Sequence, residues 1–273
     1  ERAAVLVERG VNRISLGAQS FDPALLKALE RQHDPENVKR SIACLRAAGI
    51  EQFSIDLIYA IPGQTPAQWM SDLESAINLD LEHLSCYGLV YEAGTPLTRR
   101  RDRGLVTPVQ ESLEAAMHCT ARDMLAQHGY EQYEISNWAR AEQYCQHNLI
   151  YWENRNWWPI GPGASGHVDG VRWKNEPRLG TYVDGDGLAA ASMIESLDAD
   201  GRVGEAFMLG LRVLSGMTED RLESLLLQGQ EGPRRRVAID RHIDGGLLER
   251  HGGGIRLSSE GVLLADTVLA DLL

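Results

Sequence analysis

The sequence predicts an α/β domain followed by a smaller, helical, winged-helix-like unit. Three features carry that reading. Up to about residue 135, β-rich runs alternate with helices that have explicit start signals. After Trp173 the texture turns to Gly, Ala and Asp, and from about Val203 it becomes a run of helices with one hairpin.

Taken in order, the chain opens at Glu1 without Met, in a helix leading into a strand; it carries no signal peptide, and we expect a fragment of a longer protein. Strands are expected at Arg13 to Gly17, Gln52 to Tyr59, Leu84 to Val90 and Gln132 to Ile135. Between them, Asp22-Pro23 and Asp34-Pro35 each put a capping carboxylate before Pro at the first helical position. Thr65-Pro66 with Gln68, and Thr107-Pro108 with Gln110, predict capping boxes, and Gly49 and Gly129 predict helix stops. Strands separated by helices imply parallel pairing with right-handed crossovers, which fits a barrel or an open sheet equally.

Beyond this domain (residues 1–173), residues 174–202 are expected to form a connector with at most one short helix, and 203–273 a second domain. That domain should contain a helix from Glu205 to Leu214 stopped by Gly216, a helix after Thr218, and a third from Arg234 to Ile243. A hairpin of Leu247 to Arg250 with Ile255 to Leu257 follows, and then a closing helix capped by Ser258 or Ser259. The winged-helix pattern and Arg234 to Arg236 raise a DNA-binding role, but the charge argues for a docking or lid domain. With 39 acidic and 27 basic residues the net charge is −12, which disfavours a polyanionic partner. No nucleic acid is expected.

No run approaches the ~20 apolar residues of a membrane span, so a soluble, cytoplasmic protein is expected; peripheral membrane contact and oligomeric state stay open. The four cysteines, Cys44, Cys86, Cys119 and Cys145, are far apart and form no CxxC-type pair, which indicates neither a disulfide framework nor a zinc site.

Parallel α/β folds bind ligands at the carboxyl ends of their strands, so Gln19, Asp56 and Tyr87-Gly88 are the polar positions to weigh first. Asp56 lies among Ile55, Leu57 and Ile58, where an unpaired carboxylate is costly to bury; it either holds a ligand or accepts bonds from Arg31 or loop N–H groups. The stretch "HNLIYWENRNWWPIGPGASGHVDG", His147 to Gly170, is unlike the rest: one His and four aromatics crowd ahead of a Gly-rich turn. "GPGASG" matches GxGxxG, but a dinucleotide fingerprint needs a following helix, and "HVDGVRW" reads instead as a hairpin turning at Asp169-Gly170.

"GVNRISLGAQSFDPALLKALERQH", "IDLIYAIPGQT" and "HNLIYW" together resemble the radical S-adenosylmethionine proteins related to oxygen-independent coproporphyrinogen III oxidase, in particular their haem-chaperone branch. The likeness extends over nearly the whole chain, and HNxxYW is its most specific motif. It implies a partial TIM-like (β/α) barrel, of which residues 1–173 are the later part, a 4Fe-4S cluster with S-adenosylmethionine at its open iron, and a smaller C-terminal domain.

The resemblance also implies roles. Gln19, Arg31 and Asp56 match contacts to S-adenosylmethionine, Gly88 leaves room beside it, and Gly161 and Gly163 bring backbone close to it. His147, Asn148, Tyr151 and Trp152 would bind haem, with His147 on the iron and aromatic faces shielding the macrocycle. Cys145 ranks second as axial ligand. A plainer reading has Trp138, Trp152, Trp157, Trp158 and Trp173 merely plug the barrel's open end, with His147 hydrogen-bonded inside. The family's CxxxCxxC motif is absent from these 273 residues, so this chain alone is expected to be inactive in radical chemistry. Haem-acceptor proteins are the implied partners. The leading function is a haem-binding chaperone; the alternative is an oxygen-independent coproporphyrinogen III dehydrogenase.

Overall fold

The computed structural model describes residues 2–184 and 191–273. They form two compact units, Glu1–Tyr144 and Cys145–Leu273. The division falls at residues 144/145, so the expected boundary at 173 lies inside the second unit.

In the first unit, α1 (Arg2–Glu8) leads to β1 (Arg13–Gln19), α2 (Pro23–Ala28), α3 (Glu36–Ala47), β2 (Gln52–Tyr59), α4 (Pro66–Ile77) and β3 (His83–Gly88). Then come α5 (Pro96–Asp102), α6 (Glu111–Gln127), β4 (Glu131–Glu134) and β5 (Asn137–Ala139). One sheet has the order β1-β2-β3-β5-β4. Its first three strands are parallel, as the alternation predicts, whereas β5 pairs antiparallel with both β3 and β4. A three-residue strand carries too little periodicity to be read from sequence.

The start signals mostly work as their chemistry requires. Asp22 accepts from the backbone N–H groups of Ala24 and Leu25, and Thr65 with Gln68 makes the reciprocal box. Asp34 holds the Glu36 N–H at 3.0 Å, although α3 begins one residue later than the Pro rule suggests. The box expected at Thr107 does not form: α6 starts at Glu111, with Gln110 as an extended N-cap that makes no side-chain bond. Gly49 and Gly129 close their helices at φ of 103° and 79°.

The sheet's two faces differ in chemistry. Phe53, Ile55, Leu57 and Tyr59 of β2, with Leu84 and Cys86 of β3, are buried in one core with Val38 and Ile42 of α3, Trp69 and Leu73 of α4, and Met117 and Ala121 of α6. The intervening residues, Ser15 and Gly17, Ser54 and Asp56, His83, Ser85 and Tyr87, lie on the opposite face because side chains alternate along a strand.

The second unit begins with α7 (Gln146–Trp152) and a hairpin of β6 (Ser165–Val168) and β7 (Val171–Asn175). Asp169 (φ 50°) and Gly170 (φ 80°) form its two-residue turn, so GPGASG leads into a strand and not a helix. After α8 (Leu179–Val183), β8 (Ala191–Ser196) joins β7 antiparallel, a strand inside the segment expected to be a connector; residues 185–190 of that segment lie outside the described residues. The next helix, α9 (Ala199–Gly210), starts six residues before the expected Glu205 because Asp198 caps it through the Gly201 N–H. α10 (Glu219–Leu226), α11 (Gly232–Asp244), the hairpin β9 (Leu248–His251) and β10 (Gly254–Leu257), α12 (Ser259–Leu263) and α13 (Ala265–Ala270) complete the winged-helix pattern. Thr218 and Ser258 are the caps of α10 and α12. Among the described residues no helix is long and apolar enough to cross a membrane.

Candidate functional site

In the first unit the candidate site is the polar sheet face at the carboxyl end of β1 and β2. Gly17 pairs with Asp56 across the strands, and a Cβ on Gly17 would collide with the Gln19 amide. Gln19 therefore folds back over Gly17, toward the Asp56 row. It does so from a left-handed backbone (φ 59°) at a register shift after Gly17, a geometry that ends the strand and re-aims the side chain. Asp56 is half-buried and accepts 2.9 Å from Ser15 Oγ, not from Arg31.

The loop after β1 is held from beneath. Asp72 of α4 is buried and accepts from Ser20 Oγ and the Phe21 N–H, each at 2.7 Å. Burial pushes its carboxyl up to about 6, against those two bonds, which pull it down. His33 is hydrogen-bonded to the Ala18 carbonyl at 3.0 Å and folds the segment after α2 back to the strand end. Arg31, two residues earlier, is exposed, and among the described residues its guanidinium has no carboxylate partner. The structure thus brings Gln19 and Asp56 onto one face, and His33 ties the segment that carries Arg31 to the end of β1. Gly88 sits differently: its missing side chain would meet the Glu114 carboxylate and the Tyr59 hydroxyl, so the room it leaves is filled from the helix side.

Deeper along the polar face, His83 bridges Ser54 Oγ (2.8 Å) and the Tyr133 hydroxyl (2.9 Å). Burial, with Arg13 nearby, pushes its imidazole down to about 3, so it is neutral and its role is structural. Asp72, His33 and His83 escape sequence reasoning because their partners are 15 to 52 residues away.

In the second unit the HNLIYW stretch folds as α7. His147 and Tyr151, four residues apart, meet on one helix face: the ring nitrogen Nε2 lies 2.6 Å from the Tyr151 hydroxyl, and the rings pack edge-on at 4.7 Å. Tyr151 in turn packs on Trp157, and Trp157 on buried His167. Nε2 is thus occupied by Tyr151, and Nδ1 of this exposed imidazole is left for another ligand. Burial raises the Tyr151 phenol, with Cys145 adding to the shift. Asn148 is half-buried within the same helix.

The tryptophans have separate partners. Trp152 lies under the Arg212 guanidinium at 4.7 Å, Trp158 packs on Trp173 at 5.3 Å, and Trp138 is in the core of the first unit against His118. The Gly-rich turn is built on positive φ, 107° at Gly161 and 69° at Gly163. It is tied by the Gly161 N–H to the Tyr182 hydroxyl and by Asn175 Nδ2 to the Gly161 carbonyl.

The comparisons with known proteins bear on both units. The Radical SAM superfamily model matches residues 1–76. The heme chaperone HemW of Bacillus subtilis is 33% identical over 279 residues, covering 100% of this chain and 72% of the relative. The chain belongs to the HemW family. HemW of Mycobacterium tuberculosis is 34% identical over 274 residues (99% of this chain, 67% of the relative). HemW of Lactococcus lactis is 39% identical over 220 residues (81% of this chain), and the chain covers 58% of that relative's length. Among solved structures, coproporphyrinogen III oxidase (HemN) of Escherichia coli superposes with a TM-score of 0.77 at 18% identity, covering 99% of this chain and 66% of that one. That likeness establishes the α/β, partial TIM-like barrel fold.

The cysteines of this HemW-family chain do not suit a cluster. Cys86 is buried in the core, with a thiol that burial pushes far up; Cys44 is exposed on α3, and Cys119 and Cys145 lie on other elements. Among the described residues no group of three or more His, Cys, Asp or Glu side chains could hold a metal ion. Anaerobic reconstitution of this chain is accordingly expected to leave no iron and sulfide bound in cluster stoichiometry. Cluster binding abolished by substituting Cys44, Cys86, Cys119 or Cys145 would overturn that expectation.

Proposed function

We infer that the protein is a haem chaperone: it holds haem at α7 and passes it to acceptor proteins, and its first unit holds S-adenosylmethionine at the strand ends. The observation that carries this reading is the HNLIYW helix of a HemW-family chain, which pairs an exposed His147 with a half-buried Tyr151 on one helix face. In this reading His147 offers a ring nitrogen to the haem iron, Tyr151 fixes the imidazole's orientation, and Asn148 and Trp152 complete the helix.

The strand-end residues suit S-adenosylmethionine. Asp56 accepts a bond only from Ser15 among the described residues, and Arg31 is without a carboxylate; together they offer the acceptor and donor that an amino acid's ammonium and carboxylate need. Gln19 adds an amide beside Asp56. S-adenosylmethionine supplies a sulfonium open to reductive cleavage. Among the described residues the 4Fe-4S cluster of the superfamily finds no ligand set, and no step is assigned to it.

Arg31→Ala in the full-length protein should weaken S-adenosylmethionine binding by about 1.5–3 kcal/mol, the range for a hydrogen bond to a charged group. Asp56→Asn should act in the same direction. Unchanged calorimetric affinity in both variants would remove these residues from the binding site.

The function itself is tested by loading full-length protein with haemin, following the Soret band, and mixing it with an apo-haem protein. Saturable binding with transfer to the acceptor supports the chaperone. Turnover of coproporphyrinogen III under reducing, anaerobic conditions would favour the dehydrogenase, which at present rests on likeness of fold alone.

A further inference from the structure

We propose that Glu205 and Arg212 are positioning residues that clamp the haem-binding helix α7 from its carboxyl end, so that Trp152 of the HNLIYW stretch is an anchor and not a haem contact. The proposal rests on the haem-binding reading of α7. It begins from how little α7 has of its own. The helix is seven residues long, its N-cap Cys145 makes no side-chain capping bond, and none of its residues is fully buried. A helix that short does not persist on local bonds alone.

What holds it lies at its exit. The Arg212 guanidinium sits 4.7 Å over the Trp152 ring, within cation–π range. The indole N–H and Arg212 Nε are both buried without a hydrogen-bond partner, so the ring face and the cation are the contact that joins these side chains. Two residues on, Asn154 ends the helix in the left-handed region (φ 52°), and its Nδ2 donates 2.9 Å to Glu205 Oε2. The other Glu205 oxygen takes Arg172 of β7. Glu205 is only 6% exposed, so this carboxylate is a fixed point shared by the helix exit and the sheet.

Both anchors belong to one rigid element. Glu205 is on α9 and Arg212 follows its C-cap, while Val203, Phe207 and Leu211 root that helix in the core at 2% exposure or less. The stretch is thereby divided: His147 and Tyr151 share the face open to a ligand, and Trp152 has one ring face covered by Arg212. Tyr151 and Trp152, adjacent in sequence, serve different ends because neighbours on a helix point about 100° apart.

The test compares Arg212→Ala, Arg212→Lys and the unmodified full-length protein by haemin titration, Soret spectrum, melting temperature and hydrogen exchange of residues 146–154. Arg212→Ala should raise exchange across α7 and weaken haemin binding roughly three- to thirty-fold, the equivalent of a cation–π contact. The Soret maximum and melting temperature should change little, because ligand and core are intact. Arg212→Lys should restore most of the affinity by returning a cation to the ring. Unchanged exchange in α7 for Arg212→Ala, or faster exchange with unchanged haemin affinity, would overturn the clamp. If the unmodified protein binds no haemin, the chaperone reading and the haem role given to the clamp fall together, while exchange still decides whether Arg212 holds α7.

Discussion

His147→Ala in the full-length protein is expected to shift the Soret band of the haemin-loaded form and to lower haemin affinity by about a hundredfold or more. Loss of outer-shell partners alone typically costs metal sites 10–100-fold, and His147 is the proposed ligand itself. The geometry makes the result diagnostic. His147 is exposed in the first turn of α7, so its removal leaves no cavity in the core and should change the melting temperature by little. Tyr151→Phe separates orientation from ligation: it deletes the hydroxyl 2.6 Å from Nε2 but keeps the ring on Trp157. It should weaken haemin binding less than His147→Ala and keep a histidine-ligated spectrum. Trp152→Ala should weaken binding through disorder of the helix and leave the ligand field unaltered. Spectra and melting curves must come from the same samples. A His147→Ala protein with an unaltered Soret band would remove His147 as ligand, and Cys145 would be tested next.

Local signals account for what could be read before the structure. Asp22, Thr65 and Ser258 cap the helices that they mark in the sequence, because a capping side chain acts on N–H groups within three residues. Gln19 and Asp56 were legible as polar groups at strand ends, and the hairpin at Asp169-Gly170 was legible from its turn chemistry. Short or weakly patterned elements were not. β5 has three residues, and Ala191–Ser196, the sequence of β8, alternates too weakly to be told from a loop. The start of α9 is hidden in the sequence because it depends on Asp198, which the Gly and Ala around it disguise as a linker.

The supports of the site follow the same rule. Each binding candidate occupies a place that local sequence marks, whereas the residues that hold it come from far along the chain. Asp72 lies 52 residues from Ser20, and Glu205 lies 51 from Asn154. A single sequence gives such pairs no periodicity or spacing. They become visible only when the fold closes the distance, and the polar sheet face shows why: Gly17 reads as an ordinary small residue until its pairing with Asp56 puts the Gln19 amide over it.

The stability of the protein should carry the mark of Asp72 between pH 4 and 6. Its carboxyl is 2% exposed and is pushed up to about 6 by burial, against an ordinary value of 3.8. As the pH rises through 3.8, the unfolded chain releases this proton while the folded chain keeps it, so deprotonation favours unfolding until the folded carboxyl ionises near 6. Over that window the contribution of Asp72 should fall by about 3 kcal/mol and stay level above it, since each pKa unit corresponds to about 1.4 kcal/mol. Asp72→Asn removes the titration and keeps an oxygen for the Phe21 N–H. The gap in unfolding free energy between the two proteins, from urea melts at pH 4, 5, 6 and 7, should therefore move by that amount in favour of the Asn variant and then stop. Above pH 6 the ionised carboxylate still holds Ser20 and Phe21, so the same variant at pH 7 should bind S-adenosylmethionine less tightly through a loosened exit from Gln19. Parallel stability curves for the two proteins from pH 4 to 7 would show that Asp72 ionises alike in the folded and unfolded chain, and would remove the burial argument for its role beneath the strand end.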